Sequence, residues 1–200
     1  MSVVGEATRG DLLDVALALG RSSLVVGSLG NVSVRHGDGL HITPSTLPYE
    51  LMLEQDMVTL NGDGSPREGG LPPSRETPLH RAIYAARPDV GAIVHTHSPH
   101  AVAWSFLGVP LVPQLEELDY YGIGTIGVSR PAPVGSNALG EAAATALGDG
   151  GAVLLGRHGV VTVADDPRRA FTLAEVVEHY AEVAWLLRLD EGLLRPTWPG

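Results

Sequence analysis

The sequence contains no cysteine and no lysine, and all 13 of its basic residues are arginine. Without cysteine, the chain has no disulfide framework, no thiolate nucleophile and no cysteine zinc site. Without lysine, it cannot form a Schiff base with a carbonyl substrate, hold pyridoxal phosphate as an imine or supply the lysine of a Walker phosphate loop. Any carbon–carbon bond chemistry in this protein therefore needs an electron sink other than a covalent imine.

Positive charge and long apolar runs are also scarce. The 13 basic residues are outnumbered by 23 acidic ones, which gives a formal net charge of -10. Because such a chain repels phosphate backbones and anionic lipid surfaces, we expect neither a nucleic-acid partner nor a membrane partner. No apolar run approaches the ~20 residues of a membrane span, and the N-terminal residues lack the pattern of a signal peptide. We therefore expect a cytoplasmic protein.

The length and the hydrophobic pattern predict a single mixed α/β domain over residues 1–200. Of these 200 residues, 44% are hydrophobic, and no linker divides the chain. Helical periodicity predicts helices over 11–20, 77–87, 99–106, 136–147 and 167–189. Short β-branched or alternating runs predict strands over 31–35, 40–43, 56–60, 91–95, 123–128 and 152–155, of which the first two form a hairpin.

Four side chains have the chemistry of metal ligands. His95 and His97 stand at the end of a predicted buried strand, and residues two apart on a strand point to the same side, so both imidazoles can converge on one ion. His158 follows another apolar strand, and Glu76 precedes a predicted helix. Each has an ordinary alternative, namely a core histidine or a carboxylate that caps the first helical turn. Together they predict a tetrahedral site for zinc, or for another divalent metal such as Mn²⁺ or Co²⁺.

Histidine pairs with this spacing occur in several kinds of metalloprotein, and the surrounding residues argue against three of them. A cupin places its carboxylate a few residues after the pair, whereas the next acidic residue after His97 is Glu116. A binuclear metallo-hydrolase needs an aspartate before a third histidine, whereas Pro99 precedes His100. The amidohydrolase barrel needs more chain than 200 residues.

The chain carries five segments that occur together in a known family: GNVSVR at 30–35, ITPS at 42–45, PSRETPLH at 73–80, VHTHS at 94–98 and RHGV at 157–160. In this order they resemble the class II aldolase/adducin family, and in particular its sugar-phosphate aldolases and decarboxylases. The resemblance extends over nearly the whole chain, from about Asp11 to Leu189. It implies a three-layer α/β/α fold with a largely antiparallel central sheet, and a homotetramer with active sites at subunit boundaries.

The resemblance also implies roles for individual residues. The metal ligands would be Glu76, His95, His97 and His158, and Glu76 would double as the acid/base carboxylate. The phosphate of the substrate would lie against the loops that carry Ser28, Gly30, Asn31, Ser45 and Ser74.

These roles imply a reaction. With no lysine available, a metal bound to the substrate's carbonyl oxygen would stabilise the enediolate that retro-aldol cleavage leaves behind. Glu76 is placed to transfer the proton, and the family's epimerases tend to have aspartate at this position. We therefore expect a zinc-dependent carbon–carbon lyase that acts on a phosphorylated sugar or sugar acid.

The sequence departs from the family pattern at three places, which leave alternatives open. Thr46 stands where many members have glycine, which narrows the phosphate loop. Arg75 replaces the second serine of a Pro-Ser-Ser-Glu motif, as in some decarboxylases of phosphorylated 3-oxo acids, and we expect it to bind substrate charge. The family's proton-donor tyrosine falls in the region of Tyr120 and Tyr121, either of which could instead be a core aromatic. A non-catalytic adducin-like assembly module is a further alternative, although such a module has no need of four ligands.

Three other histidines are not expected to bind the metal. His80 lies one helical turn after Glu76, so it could orient that carboxylate or simply pack, and we favour orientation. His36 and His41 flank the predicted hairpin turn, and we expect both of them to be solvated.

Overall fold

The computed structural model describes residues 7–67, 69–112 and 117–190. The described helices are α1 (Arg9–Arg21), α2 (Thr77–Ala86), α3 (Pro99–Ser105), α4 (Glu117–Tyr121), α5 (Asn137–Leu147) and α6 (Pro167–Asp190). The strands are β1 (Asn31–His36), β2 (Gly39–Ile42), β3 (Val58–Leu60), β4 (Ala92–Thr96), β5 (Gly127–Val128), β6 (Ala152–Leu155) and β7 (Gly159–Ala164). Two single 3₁₀ turns, Tyr49–Leu51 and Glu54–Asp56, precede β3.

The strands form one seven-stranded sheet in the order β3-β2-β1-β4-β7-β6-β5. Every neighbouring pair is antiparallel except β5 and β6, which run parallel at one edge. Helices α2 and α5 pack on one face of the sheet, and α1, α3 and α6 pack on the other. The expected three-layer α/β/α architecture with a largely antiparallel sheet is therefore confirmed, with the addition of one parallel pair.

Alternation along the central strands decides which side chains reach the α2 face. On β1, Val32 and Val34 pack into the core beneath α1 and α6, so Asn31 and Ser33 point to the opposite face. On β4, Val94 likewise packs under α1 and α6. The alternation therefore turns His95, which pairs in register with Asn31, to the α2 side. The same period that buries the apolar residues thus places polar groups between the sheet and α2.

Local capping explains where two of the helices begin. Thr8 precedes α1 and forms a reciprocal capping box with Asp11, in which the Thr8 hydroxyl accepts from the Asp11 amide at 3.2 Å and the Asp11 carboxylate accepts from the Thr8 amide at 2.9 Å. Ser136 caps α5 with a single hydrogen bond, in which its hydroxyl accepts from the Leu139 amide at 3.2 Å. These signals are local, so the sequence predicted both helices to within two residues of their starting points.

The sequence analysis missed the short helix α4 and, with more consequence for the site, strand β7. It lies between β4 and β6, and Gly159 through Val163 are all buried. A strand covered on both faces has a continuous apolar run instead of an alternating one, and the run Val160–Val163 follows directly on the glycine-flanked histidine that was interpreted as a turn. Its β-branched composition was the available signal. Conversely, the strand predicted over 123–128 shortens to Gly127–Val128.

The expectation that His36 and His41 are both solvated is wrong for His41. That side chain is buried, its Nδ1 lies 2.9 Å from the hydroxyl oxygen of Thr59, and its ring stacks on His36 with centroids 4.2 Å apart. His41 lies near the hairpin turn, but β3 pairs with the outer edge of β2 and places Thr59 beside it. The residue is therefore buried.

Helix α6 crosses the sheet on the α1 side and also fixes the start of α3. The Glu178 carboxylate accepts hydrogen bonds from the backbone amides of His100 at 3.0 Å and Ala101 at 2.9 Å, and its Oε1 lies 2.9 Å from His100 Nδ1. It thereby caps α3 from another helix. None of the helices in the described ranges combines the length and hydrophobicity needed to cross a lipid bilayer.

Candidate active site

Four side chains from three parts of the fold meet at one end of the sheet. His95 and His97 come from the end of β4, His158 from the turn between β6 and β7, and Glu76 from the residue before α2. One nitrogen or oxygen atom from each lies within 4.8 Å of the others. The three imidazole rings form a compact triangle, with centroids 4.8 to 4.9 Å apart. The structure thus brings together all four side chains that the sequence analysis singled out as ligands.

The tautomer of His95 determines what the cluster offers to an ion. His95 Nδ1 lies 2.9 Å from the carbonyl oxygen of Val160, so this nitrogen carries a proton and donates it. In the neutral ring, Nε2 then has a lone pair, and it faces His97 Nε2 at 3.0 Å and Glu76 Oε2 at 3.0 Å. Acceptor atoms that converge in this way repel each other unless a positive charge lies among them.

Glu76 is free to serve the cluster because it does not cap its own helix. It occupies the position before α2, where its side chain makes no hydrogen bond to the helix amides. Its Oε2 accepts a hydrogen bond from Asn31 Nδ2 at 3.0 Å, whereas the buried Oε1 has no hydrogen-bond partner in the described structure. The capping alternative for Glu76 therefore does not hold.

His158 is the second side chain with unsatisfied buried atoms. Neither of its ring nitrogens has a hydrogen-bond partner within the described residues, and its Nε2 lies 3.4 Å from Glu76 Oε1. Buried polar groups without partners are rare in folded proteins, and a metal ion is one of the few things that explains a group of them. The donor set of three imidazoles and one carboxylate fits a divalent cation in tetrahedral geometry.

The charges in the cluster favour a bound cation. Burial alone would raise the pKa of Glu76, but its contact with the His95 imidazole and the hydrogen bond from Asn31 hold the pKa well below its usual range. Burial, together with the charge of His95, lowers the pKa of His97 and that of His158 to about 4. Glu76 is therefore an anion near pH 7 and these two imidazoles are neutral, the forms that bind metal.

A tight turn carries His158 to the cluster. Arg157, the residue before it, has a φ of +61°, in the left-handed region that side chains rarely adopt. Gly159, the residue after it, lies so close to β4 that an added Cβ would be 2.4 Å from the carbonyl oxygen of Thr96. The turn therefore holds the start of β7 against the end of β4, which keeps His158 beside His95 and His97.

A cavity of about 370 Å³ opens beside the cluster. Its wall includes Glu76, His97 and His158, and it also includes every residue predicted to bind substrate: Ser28, Gly30, Asn31, Ser45, Ser74 and Arg75. The Arg75 side chain is exposed and the Ser74 side chain is buried. Hydroxyl groups, a guanidinium and the ligand cluster thus face one space, which suits an anionic, oxygen-rich molecule.

Thr46, at one of the departures from the family pattern, also lines this cavity. Its φ is +70°, which is unusual for a β-branched residue, whereas a glycine there would adopt this conformation without steric strain. The side chain of Thr46 is therefore added to the cavity wall at the expense of local backbone strain.

The cavity does not include the two tyrosines considered as proton donors. Tyr120 is 86% exposed, and Tyr121 is half-buried and lines a different cavity near Arg87 and Asp149. Glu116, from the same region of the sequence, lies outside the described residues. Within one chain, the described structure thus leaves Glu76 as the carboxylate of the cavity, without either tyrosine.

Comparison with known proteins agrees with this geometry. The family described as Class II Aldolase and Adducin N-terminal domain matches residues 10–185. An L-fuculose phosphate aldolase of Escherichia coli is 37% identical over 172 residues, which cover 86% of this chain and 80% of that protein. A 5-methylthioribulose-1-phosphate/5-deoxyribulose-1-phosphate aldolase of Rhodospirillum rubrum is 37% identical over 192 residues, or 96% and 86% of the two chains.

A solved structure shows the same fold. The L-fuculose-1-phosphate aldolase from Thermus thermophilus has a TM-score of 0.80 at 28% identity, with 95% of this chain and 98% of that chain covered. The sequence match, the shared fold and the four converging side chains therefore agree, and this chain belongs to the class II aldolase and adducin family.

Proposed function

We propose that this protein is a metal-dependent lyase that cleaves a carbon–carbon bond of a phosphorylated sugar, as the names of its aldolase relatives indicate for them. The observation that carries the proposal is the cluster of Glu76, His95, His97 and His158 beside a cavity whose wall also holds serine hydroxyls and Arg75. A non-catalytic assembly role is disfavoured because it gives no reason for buried, unsatisfied ligand atoms at the edge of a cavity.

The four side chains of the cluster are proposed to hold one divalent ion, which we take to be zinc because the donor set is three imidazoles and a carboxylate. Such an ion would polarise the carbonyl oxygen of the substrate and stabilise the negative charge that bond cleavage leaves on the adjacent carbon. The chain contains no lysine to do this covalently.

Glu76 is proposed to accept the proton of the substrate hydroxyl when the carbon–carbon bond breaks. Its low pKa keeps it ionised, and its Oε1 has no competing hydrogen-bond partner in the described structure. Because Oε2 is held by Asn31, the free oxygen has a defined position on the cavity wall. A fixed carboxylate within reach of the hydroxyl is the geometric requirement for general-base catalysis.

The subunit boundary is proposed to lie at the mouth of this cavity. Leu29 and Val134 line the cavity and are 49% and 52% exposed, and the nearby Val26 is 74% exposed. A homotetramer that covered these apolar side chains would close the site. Tyr120 or Tyr121 would act as proton donor only if the assembly brought it to such a ligand-bearing cavity. A cytoplasmic location and a single domain over residues 1–200 complete the proposal.

The reaction is tested by a screen of phosphorylated ketoses and phosphorylated 3-oxo acids, with the release of aldehyde and of carbon dioxide followed separately. We expect the metal-loaded protein to release an aldehyde, without carbon dioxide, from at least one ketose phosphate. Release of carbon dioxide instead would favour the decarboxylase alternative, for which Arg75 at the cavity is the supporting observation. Neither product from any compound would contradict both.

Arg75 is expected to bind the negative charge of the substrate. In Arg75→Ser, the specificity constant for the best substrate should fall by ~1.5–3 kcal/mol of transition-state stabilisation, the scale of hydrogen bonds to a charged group, with no loss of metal. Preference should also shift toward sugar phosphates that lack a carboxylate. Steady-state kinetics on both compound classes and a metal assay measure these effects.

The matched control for Arg75 is Arg168→Ser, which removes an exposed arginine paired with Asp14 at 2.8 Å and outside the cavity wall. The control should leave the specificity constant unchanged. An unchanged specificity constant in Arg75→Ser would show that this arginine is a surface residue, and the decarboxylase alternative would lose its support.

A further inference from the structure

A continuous chain of buried hydrogen bonds runs between α2 and the sheet and ends on Glu76. Tyr84 Oη lies 3.0 Å from Ser33 Oγ, and Ser33 Oγ lies 2.6 Å from His80 Nδ1. His80 Nε2 then contacts Asn31 Oδ1, and Asn31 Nδ2 lies 3.0 Å from Glu76 Oε2. We call these five residues the donor chain. Each of them is at most 6% exposed, so water does not compete for these contacts.

The chemistry of the members fixes the direction in which the donor chain donates. An ionised carboxylate only accepts, so the Asn31 group that faces Glu76 is the NH₂, and its carbonyl oxygen faces His80. The opposite orientation of the amide would set two acceptors against each other at Glu76. His80 must therefore carry its proton on Nε2 and donate it to the Asn31 oxygen.

The same reasoning gives the direction of the hydrogen bonds at the Tyr84 end of the donor chain. Complete burial lowers the pKa of His80 to about 3, so the ring is neutral and its Nδ1 accepts. Ser33 then donates its only hydroxyl proton to His80 Nδ1, and Tyr84 must donate to Ser33. All four hydrogen bonds of the donor chain point toward the carboxylate of Glu76.

We propose that His80 is a positioning residue that acts through Asn31, whose side-chain amide fixes Glu76. The proposal rests on the proposed role of Glu76 as the base of the reaction. With Oε2 held by the Asn31 amide, the carboxylate cannot rotate, and Oε1 stays directed at His158, 3.4 Å away, and at the cavity. His80 lies four residues after Glu76, but it reaches the carboxylate across the sheet face and not along the helix.

This assignment gives Asn31 a second role beside the substrate contact predicted from the sequence. Both polar atoms of its side chain are already engaged, the oxygen by His80 and the nitrogen by Glu76. The Nδ2 group has two N–H donors and Glu76 accepts from one of them, so the second can still donate to a substrate oxygen in the cavity without breaking the hydrogen bond to the carboxylate. Other hydroxyl and guanidinium groups of the cavity wall, those of Ser28, Ser45, Thr46, Ser74 and Arg75, are also available to a substrate phosphate.

The test compares His80→Phe with His80→Gln. Phenylalanine keeps the planar shape but can neither donate nor accept, so we expect kcat to fall ~10–100-fold with little change in KM, as for other partners that orient a site carboxylate. Glutamine offers one donor and one acceptor and should recover part of kcat. Ile83→Val is the control, since it trims a buried side chain on the same helix without touching the donor chain.

A second measurement does not depend on activity. In the zinc-loaded, ¹⁵N-histidine-labelled protein, the ring nitrogens of His80 should show the tautomer with the proton on Nε2, assigned by their loss in His80→Gln. The tautomer with the proton on Nδ1 would overturn the proposal even if no substrate were turned over, which separates its failure from that of the proposed function. In an active enzyme, a wild-type kcat in His80→Phe, or in Ser33→Ala should the first variant not fold, would overturn it as well.

Discussion

Replacing His95 and His97 together with alanine is expected to remove the bound ion and abolish turnover. Both imidazoles direct Nε2 at the centre of the cluster, and without them only Glu76 and His158 remain as ligands. Two protein ligands do not hold a divalent ion against dialysis when the complete site needs three or four. We therefore expect about one ion per wild-type chain and almost none in the double variant, measured by elemental analysis after dialysis.

The fold should survive this change. His97 follows β4 and lies at the cavity wall, and the register of β4 with β1 and β7 depends on backbone hydrogen bonds and on neighbours such as Ile93 and Val94. Circular dichroism should therefore show wild-type secondary structure. The matched control is His179→Ala, which removes an exposed histidine of α6 and should leave metal content and turnover unchanged. Wild-type metal content in the double variant would place the metal elsewhere in the protein.

Exchanging Glu76 for glutamine is expected to separate its two proposed roles. The amide has the same shape and still offers an oxygen to a metal, but it cannot take up a proton at neutral pH. We expect metal content to be largely kept, because three histidines remain, while kcat falls ~10²-fold or more, the usual contribution of a general base. Metal analysis and steady-state kinetics on the same preparation measure both quantities.

The control for this variant is Glu141→Gln, an exposed glutamate of α5 outside the cavity wall. It makes the same chemical change without touching the site, so its kcat should equal that of the wild type. If Glu76→Gln also keeps the wild-type kcat, proton transfer belongs to another group. Tyr120 and Tyr121 would then be the next residues to test.

Because all basic residues of this chain are arginine, any basic side chain that binds an anionic substrate is a guanidinium. Arg75 is an arginine on the wall of the cavity, and the guanidinium grips a phosphate or carboxylate with two parallel hydrogen bonds. A lysine at the same place would contribute one mobile point charge. Under the proposed function, Arg75 would therefore orient an anionic substrate as well as attract it, in a chain that has no lysine to form an imine.

Much of the fold was predictable because its signals are local. The capping of α1 at Thr8, the hairpin of β1 and β2, and the apolar strand β6 all follow from residues adjacent in sequence. Strand β7 was missed because its buried state depends on β4 and β6 covering it from both sides, and residues 159–164 by themselves do not specify these neighbours. The burial of His41 was missed for the same kind of reason, since β3 covers it.

The sequence by itself determined which chemistry is possible in this protein. It excluded imine and thiolate catalysis, it provided His95, His97, His158 and Glu76 as ligand-type side chains, and its ordered motifs predicted the family. Only the tertiary structure decided how these groups relate, because residues up to 82 positions apart (Glu76 to His158) meet through the pairing of β1, β4 and β7 and the packing of α2. That packing put Asn31 between His80 and Glu76. This contact depends on which face of the sheet α2 covers, and the spacing of residues along α2 does not specify that face.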